Sequence, residues 1–440
     1  MTSLDTPAAE QGYQVFAPTE ADGYVLRPAV AAVDYGAWPA LDTLVGVAPS
    51  RGLLEARGGG LIGMDRARLA EKVRDYIDAP TFDVARTANP ALGTERARYD
   101  TKRAREALRL EGYREQSLMR LSLFAFDTRW AYVTTVRPVW NEVRPSLLHI
   151  LPDARGFLLT RPQQIAQPEG FPAYWSSCLA EDHAIHKNPF LIPVVENLSG
   201  APRPNLSDLA QTYLANLNIN ADAEGAALLL HHALAVLYSP AYLAENAGGI
   251  RQGWPRIPLL RDVPVLRASA SLGSRLAALL DPDTPVPSVT SGTPRPEFAA
   301  IAVPVTRPGQ TRDWTLQGWG NRSDKGITMP LRGRAEERGD ALGETATAAH
   351  ADLLGSHVVD VGMNGSSLWR CVPQAVWECR IGGYQVLKKW LSYREGATIG
   401  RPLTQDEVAH VQQTARRLAA VLLLGPELDA SYRAAARAGA

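Results

Sequence analysis

Apolar residues in RARLAEKVRDYI, which follows Asp65, and in TKRAREALRLEGY recur three and four positions apart among charged ones. This spacing predicts two or more amphipathic helices over roughly 65–113. Residues 1–60 carry scattered Pro and Gly with only a weak apolar pattern, and read as an irregular lead-in. The period changes in LSLFAFDTRWAYVTTV, residues 121–136, where β-branched and aromatic residues flank a polar Asp127-Thr128-Arg129 pinch. Two short strands or one bent strand are predicted there. A helix from Pro138 to about Ile150 follows, and strand-like pieces recur at 156–160, 172–178 and 190–195 between Pro and Gly. This order lacks regular strand–helix alternation and suggests a mixed sheet.

Helical spacing returns with Ala226, Leu229, Leu230, Ala233, Val236 and Leu237, and Ser239-Pro240 supplies a cap and a first-turn proline for the next helix. Another helix is expected over about 264–280. Residues 281–312 hold Pro282, Pro285, Pro287, Pro294, Pro296, Pro304 and Pro308 and read as a loop or the edge of an insertion. Strands are predicted near 357–361, 367–372 and 375–381, then a helix from Tyr384 to Arg394 ended by Gly396. In that helix Tyr384, Leu387, Trp390 and Leu391 form the inward face, which leaves Lys388 and Lys389 toward solvent. Thr404 and Glu407 form a capping box ahead of the stripe Val408, Val411, Ala415, Leu418 and Leu422, which stops at Gly425-Pro426. The fold class is α+β. We divide the chain into a lead-in (1–60), a helical connector (61–114) and a mixed-sheet unit with packed helices (115–440), the last as one body or two lobes around the Pro-rich stretch.

With 45% hydrophobic and 21% charged residues, the 440-residue chain fits neither a disordered, a collagenous nor a coiled-coil protein. The N-terminus lacks a basic start followed by an apolar stretch, and no apolar run approaches the ~18–20 residues of a membrane span. A cytoplasmic location is expected. Cys178, Cys371 and Cys379 are too few for a disulfide scaffold, in keeping with a reducing compartment. The formal net charge is zero, so any nucleic-acid partner must be met by a local basic patch. Of the 46 basic residues six are Lys and the rest Arg, the side chain suited to bidentate contacts with guanine and phosphate.

GGGLIG, residues 58–63, fits the G-x-G-x-x-G pattern of dinucleotide or S-adenosylmethionine loops, but GLLEAR before it is a poor strand and the segment reads as a turn. Asn188-Pro189-Phe190 lacks the second proline of the base-clamping loop of amino-methyltransferases. Cys178, His183 and His186 lie near one another in sequence without the short Cys spacing of structural zinc, and His231-His232 reads as a core histidine beside an exposed one. No G-x-S-x-G elbow or P-loop occurs, so no catalytic, cofactor-binding or metal-binding residue is assigned. Two basic stretches remain, WGNRSDKGITMPLRGR (319–334) and GGYQVLKKWLSYR (382–394), whose glycines allow close backbone approach to a phosphate. Candidate DNA contacts are Arg129, Arg322, Lys325, Arg332, Arg334, Lys388, Lys389 and Arg394.

Three segments in order resemble the C-terminal part of type ISP restriction-modification enzymes and related adenine-specific DNA methyltransferases. FDTRWAY at 126–132 resembles the segment that opens the family's target-recognition region. ALAVLYSPAYLAENAGGIRQGWPRIPLLRD at 233–262 is similar to its Ser-Pro-x-Tyr segment closing on Pro-Arg-Ile-Pro, with Tyr238 where His is usual. VWECRIGGYQVLKKWLSYREG at 376–396 is the third. The resemblance covers roughly residues 115–435 and implies a target-recognition domain that grips double-stranded DNA, serves restriction-modification or phage defence and is not an enzyme by itself. S-adenosylmethionine is then expected on a partner, a methyltransferase and/or helicase-nuclease subunit. Two alternatives stay open: a fragment or divergent member of an adenine-specific methyltransferase with its catalytic half on another chain, and a structural subunit that does not read sequence.

Overall fold

The connector helices form where side chains cap them. Asp65 accepts from the Arg68 amide (2.8 Å), Thr81 from Val84 (3.3 Å) and Asp100 from Arg103 (3.0 Å), each satisfying an amide that lacks an intrahelical partner. They start the helices Arg66–Asp78, Phe82–Ala88 and Thr101–Glu111. The computed structural model describes residues 31–438 except 33, 56–57, 96–98, 151–153, 198–200, 324–325, 331–332 and 339–349.

Beyond the connector, the polar pinch resolves into a hairpin of Leu118–Phe124 and Asp127–Tyr132, with Phe124 opposite Asp127. The turn is Ala125-Phe126, and Phe126 holds a φ of 63° with its ring fully buried. A bulky residue stays in that region only when its surroundings fix it. Here Tyr174 does so, its hydroxyl accepting from the Phe126 amide at 3.0 Å. Ile62–Gly63 adds antiparallel to one side of the hairpin and Leu179–Ala180 parallel to the other, so this first sheet is mixed.

Two further four-stranded sheets are antiparallel throughout. The second runs Ser50–Arg51, Phe190–Pro193, Phe157–Thr160, Tyr174–Ser176, and the third Val303–Thr306, Ser367–Pro373, Val358–Gly362, Ala335–Arg338. Helix Val263–Leu280 packs on Ala223–Leu237, Gln405–Leu423 and Gly425–Ala438. Gly273 permits the first of these contacts, because a Cβ there would meet the His231 carbonyl oxygen at 1.8 Å. His232 ties the same pair, with its ring nitrogens 2.8 Å from Ser269 Oγ and 2.9 Å from the Pro258 carbonyl oxygen. The Thr404–Glu407 capping box forms as expected, and Trp369 of the third sheet donates to the Val408 carbonyl beyond it (3.1 Å).

Four expectations need correction. Part of the lead-in is integral: Trp38, Leu41, Leu44 and Leu53 are buried and Ser50–Arg51 is a strand. The helix expected from Pro138 spans only Pro145–Ile150, since Pro145 suits a first turn and not a helix interior. Residues 374–378 are a short helix rather than a strand, and the Tyr384 helix narrows to Val386–Ser392 because Tyr384–Gln385 pair with Arg380–Ile381. The apolar stripe from Val408 does stop before Gly425-Pro426, and a further helix, Gly425–Ala438, opens there, for proline is tolerated in a first turn.

Trp390 is buried in the main core, stacked on the His410 ring at 5.2 Å. Trp390→Ala should lower the unfolding free energy by about 3–5 kcal/mol in urea titration. A variant that unfolds with the parent would show that this packing contributes nothing.

Candidate nucleic-acid interface

Asp127 opens the second strand of the hairpin and is 1% exposed. Two guanidiniums clasp its carboxylate. Arg129 donates Nε and Nη2 at 3.1 and 2.8 Å, and Arg394 donates Nη1 and Nη2 at 3.1 and 2.8 Å. Burial alone would raise the Asp127 carboxyl, but the two arginines more than offset it and hold the group well below the usual carboxylate range. Arg394 also lies over the Trp390 ring at 3.7 Å and reaches Glu407 at 3.8 Å. Glu407 in turn accepts from Arg401 at 2.6 and 3.0 Å. The Phe-Asp-Thr-Arg and Tyr-Arg-Glu-Gly segments, far apart in sequence, therefore meet in one buried charge network.

Glu395 continues that network to the surface. Its carboxylate accepts from three successive amides, Gly318 (2.9 Å), Trp319 (2.8 Å) and Gly320 (3.2 Å). Gly320 is required there, as a Cβ would stand 2.2 Å from the Ser392 carbonyl oxygen. Trp319 is fully buried and donates Nε1 to the Gly362 carbonyl at 2.7 Å. Immediately after this anchor runs the hairpin Asn321–Ser323 with Gly326–Thr328. Residues 303–338 hold seven basic side chains against four acidic ones, within a chain of zero net charge. Among them Arg312 is exposed beside Trp314 (4.9 Å), and Arg334 is exposed with Nε on the Gln317 carbonyl (2.8 Å).

The candidate contacts separate accordingly. Arg334 faces solvent; Arg322 lies in the hairpin, where only its backbone is described, and Lys325 and Arg332 fall outside the described residues. Arg129 is largely buried and Arg394 is 6% exposed, both committed to Asp127. Lys388 and Lys389, expected at the surface, are 7% and 8% exposed, because every residue of the seven-residue helix Val386–Ser392 is covered. Lys389 sits among the rings of Phe124, Tyr384 and Tyr393, at 4.2, 4.2 and 4.7 Å from their centroids. Burial pushes its ammonium down to about 8 against the pull of Asp127 and Glu181. Neither the Glu395 anchor nor this ring cage carries a sequence motif, since each depends on long-range packing.

The glycine loop is filled by the chain itself. Gly59 and Leu61 donate their amides to Glu55 at 2.9 and 2.8 Å, and Lys72 reaches the Gly59 carbonyl at 3.3 Å. Between this loop and the first sheet lies a cavity of about 650 Å³, lined by Lys72, Arg129, Glu181, His183, Lys389 and Ile327 of the basic hairpin, among others.

The profile of the Type ISP C-terminal specificity domain matches residues 48–420. The chain belongs to this family. Three solved structures share the specificity domain's fold. One is a nuclease-deletion mutant of the Type ISP restriction-modification enzyme LlaGI in complex with a DNA substrate mimic (12% identity, TM-score 0.51, 91% of this chain and 34% of that one). The second is a DrdV–DNA complex (15%, 0.53, 89% and 36%). The third is the ATP-dependent Type ISP restriction-modification enzyme LlaBIII bound to DNA (10%, 0.56, 91% and 25%). The specificity domain thus spans a quarter to about a third of each of these chains. No curated protein sequence matches it. No described helix is long and apolar enough to cross a membrane.

Two outcomes follow from the charge network. Burial and Arg394 hold the His410 imidazole down at about 4, below the ~6.5 of an unfolded histidine, and burial lowers His232 likewise. The unfolded chain then takes up protons first, so stability should fall as pH drops from about 6.5 toward 4, while the depressed Asp127 keeps its contribution until stronger acid. Urea titrations across that range check this, and a flat profile would contradict it. For the anchor, Glu395→Ala should speed hydrogen exchange at the amides of 318–320 by at least about tenfold, the equivalent of the ~1.5 kcal/mol of one hydrogen bond to a charged group. Unchanged exchange would show that the carboxylate does not hold the loop.

Proposed function

We propose that this specificity domain reads double-stranded DNA and that the segment 303–338 faces the duplex. The observation carrying this reading is the concentration of basic side chains on a segment fastened to the core by Glu395, within a neutral chain of a specificity-domain family. Arginines on phosphates set register, and a few side chains on groove edges discriminate bases. Arg312 and Arg334 are assigned to this surface, and Arg322, Lys325 and Arg332 belong to the same stretch of sequence. Lys388, Lys389, Arg129 and Arg394 are withdrawn from it, since a cation covered by packing or committed to a carboxylate reaches a phosphate only by unpacking. Methylation and cleavage are assigned to a methyltransferase and/or helicase-nuclease outside this chain, with S-adenosylmethionine held there.

Fluorescence-anisotropy titration of labelled random duplex against the full chain, at several salt concentrations, tests the reading. Arg312→Ala with Arg334→Ala should weaken binding to all duplexes and reduce the slope of log affinity against log salt by roughly 0.9 for each phosphate no longer neutralised. Removing a side chain that reads a base would instead cost about 1–3 kcal/mol on the cognate site alone. Absence of duplex binding at low salt would overturn the assignment.

A further inference from the structure

Among the described residues lining the cavity between the glycine loop and the first sheet, one charged group is left incomplete by the surrounding packing. The other charged walls are engaged. Glu55 holds the amides of Gly59 and Leu61, Arg129 holds Asp127, Lys72 meets the Gly59 carbonyl, and Glu181 accepts from the amide of His183 (2.7 Å) and lies 3.0 Å from its Nδ1. Lys389 differs from all of them. It is 8% exposed, touches the faces of Phe124, Tyr384 and Tyr393, and its ammonium makes no hydrogen bond or ion pair with any described residue. An ammonium has three donors, and those of Lys389 find no acceptor among the described residues. Lys389 nevertheless lines the cavity, so a bound acceptor there can satisfy it.

We propose that this cavity binds one unstacked nucleotide, its base packed on the aromatic wall with an acceptor edge on Lys389, and its phosphate toward Lys72 and His183. Three observations select that chemistry. The volume of about 650 Å³ lies within the range of small-molecule sites. Phe124, Tyr384 and Tyr393 give the cavity an aromatic wall against which a single base can pack. Lys72, Arg129 and Lys389 outnumber the carboxylates Glu55 and Glu181 at the cavity, which favours a ligand with both a ring and an anionic group, and the hydrogen bond between His183 and Glu181 raises the imidazole's affinity for a proton against the opposing effect of burial. Ile327 of the basic hairpin also forms part of the wall, so the segment assigned to DNA reaches the cavity directly. The nucleotide is either extruded from DNA or free in solution; only the first source rests on the DNA-reading assignment.

The test uses the full chain and three probes: a fully paired duplex, the same duplex with one bulged nucleotide, and a free deoxynucleoside monophosphate. Acylation of Lys389 by a small amine-reactive reagent, followed by mass spectrometry, reports occupancy of the cavity without any mutation. Its amine lies near 8 amid Phe124, Tyr384, Tyr393, Asp127 and Glu181 and is reactive when the cavity is empty. For an extruded nucleotide, the bulged duplex binds about tenfold or more tighter than the paired one. It also protects Lys389, and Lys389→Met removes the advantage while leaving paired-duplex affinity intact. For a free nucleotide, the monophosphate protects Lys389 and the bulge confers nothing. If neither probe protects Lys389 and both duplexes bind equally, the nucleotide site is refuted while DNA reading stands. If the monophosphate protects Lys389 but no duplex binds, DNA reading fails and the cavity assignment survives.

Discussion

Burying one carboxylate between two guanidiniums costs desolvation three times over, and such a cluster persists only where its geometry is nearly complete. At Asp127 four charge-assisted donors at 2.8–3.1 Å meet that condition. The cluster fixes where the hairpin of Leu118–Phe124 and Asp127–Tyr132 meets the corner after the Val386–Ser392 helix, with Arg394 carrying the link on to Glu407. Removing one partner would strand an uncompensated charge, so the clasp acts as a register pin between parts of the chain more than 260 residues apart.

The residue after Arg394 gives the clasp its functional consequence. Because Glu395 follows in sequence, fixing Arg394 also fixes the carboxylate that gathers the amides of 318–320. The hairpin beyond Trp319 thereby starts from an anchored base. Specific recognition benefits from such support, since an ordered contact surface gives up less conformational freedom on binding.

Much of this was legible in the sequence, because the signals were local. The pinch at Asp127-Thr128-Arg129, the Thr404–Glu407 box and the strand-like pieces at 156–160, 172–178 and 190–195 each report a nearby backbone choice. The direction of Lys388 and Lys389 was not. A period-3.6 reading assigns a helix one inward face, whereas Val386–Ser392 is enclosed on every side and the Lys389 ammonium lies against aromatic rings. The same limit hid the Glu395 anchor and the fate of Arg129 and Arg394, whose partners lie on elements remote in sequence. Basic residues adjacent in a motif thus divide between lock and contact surface according to packing that the motif does not encode.

Hydrogen exchange of the full chain, measured by mass spectrometry with and without saturating duplex DNA, tests the central claim most directly. The account requires that amides across 303–338, including the hairpin Asn321–Ser323 with Gly326–Thr328, exchange more slowly in the complex while those of Val386–Ser392 stay as protected as in the free protein. Slowing confined to the helices Ala223–Leu237 and Val263–Leu280, with the 303–338 segment unaffected, would contradict it and place the DNA on another face.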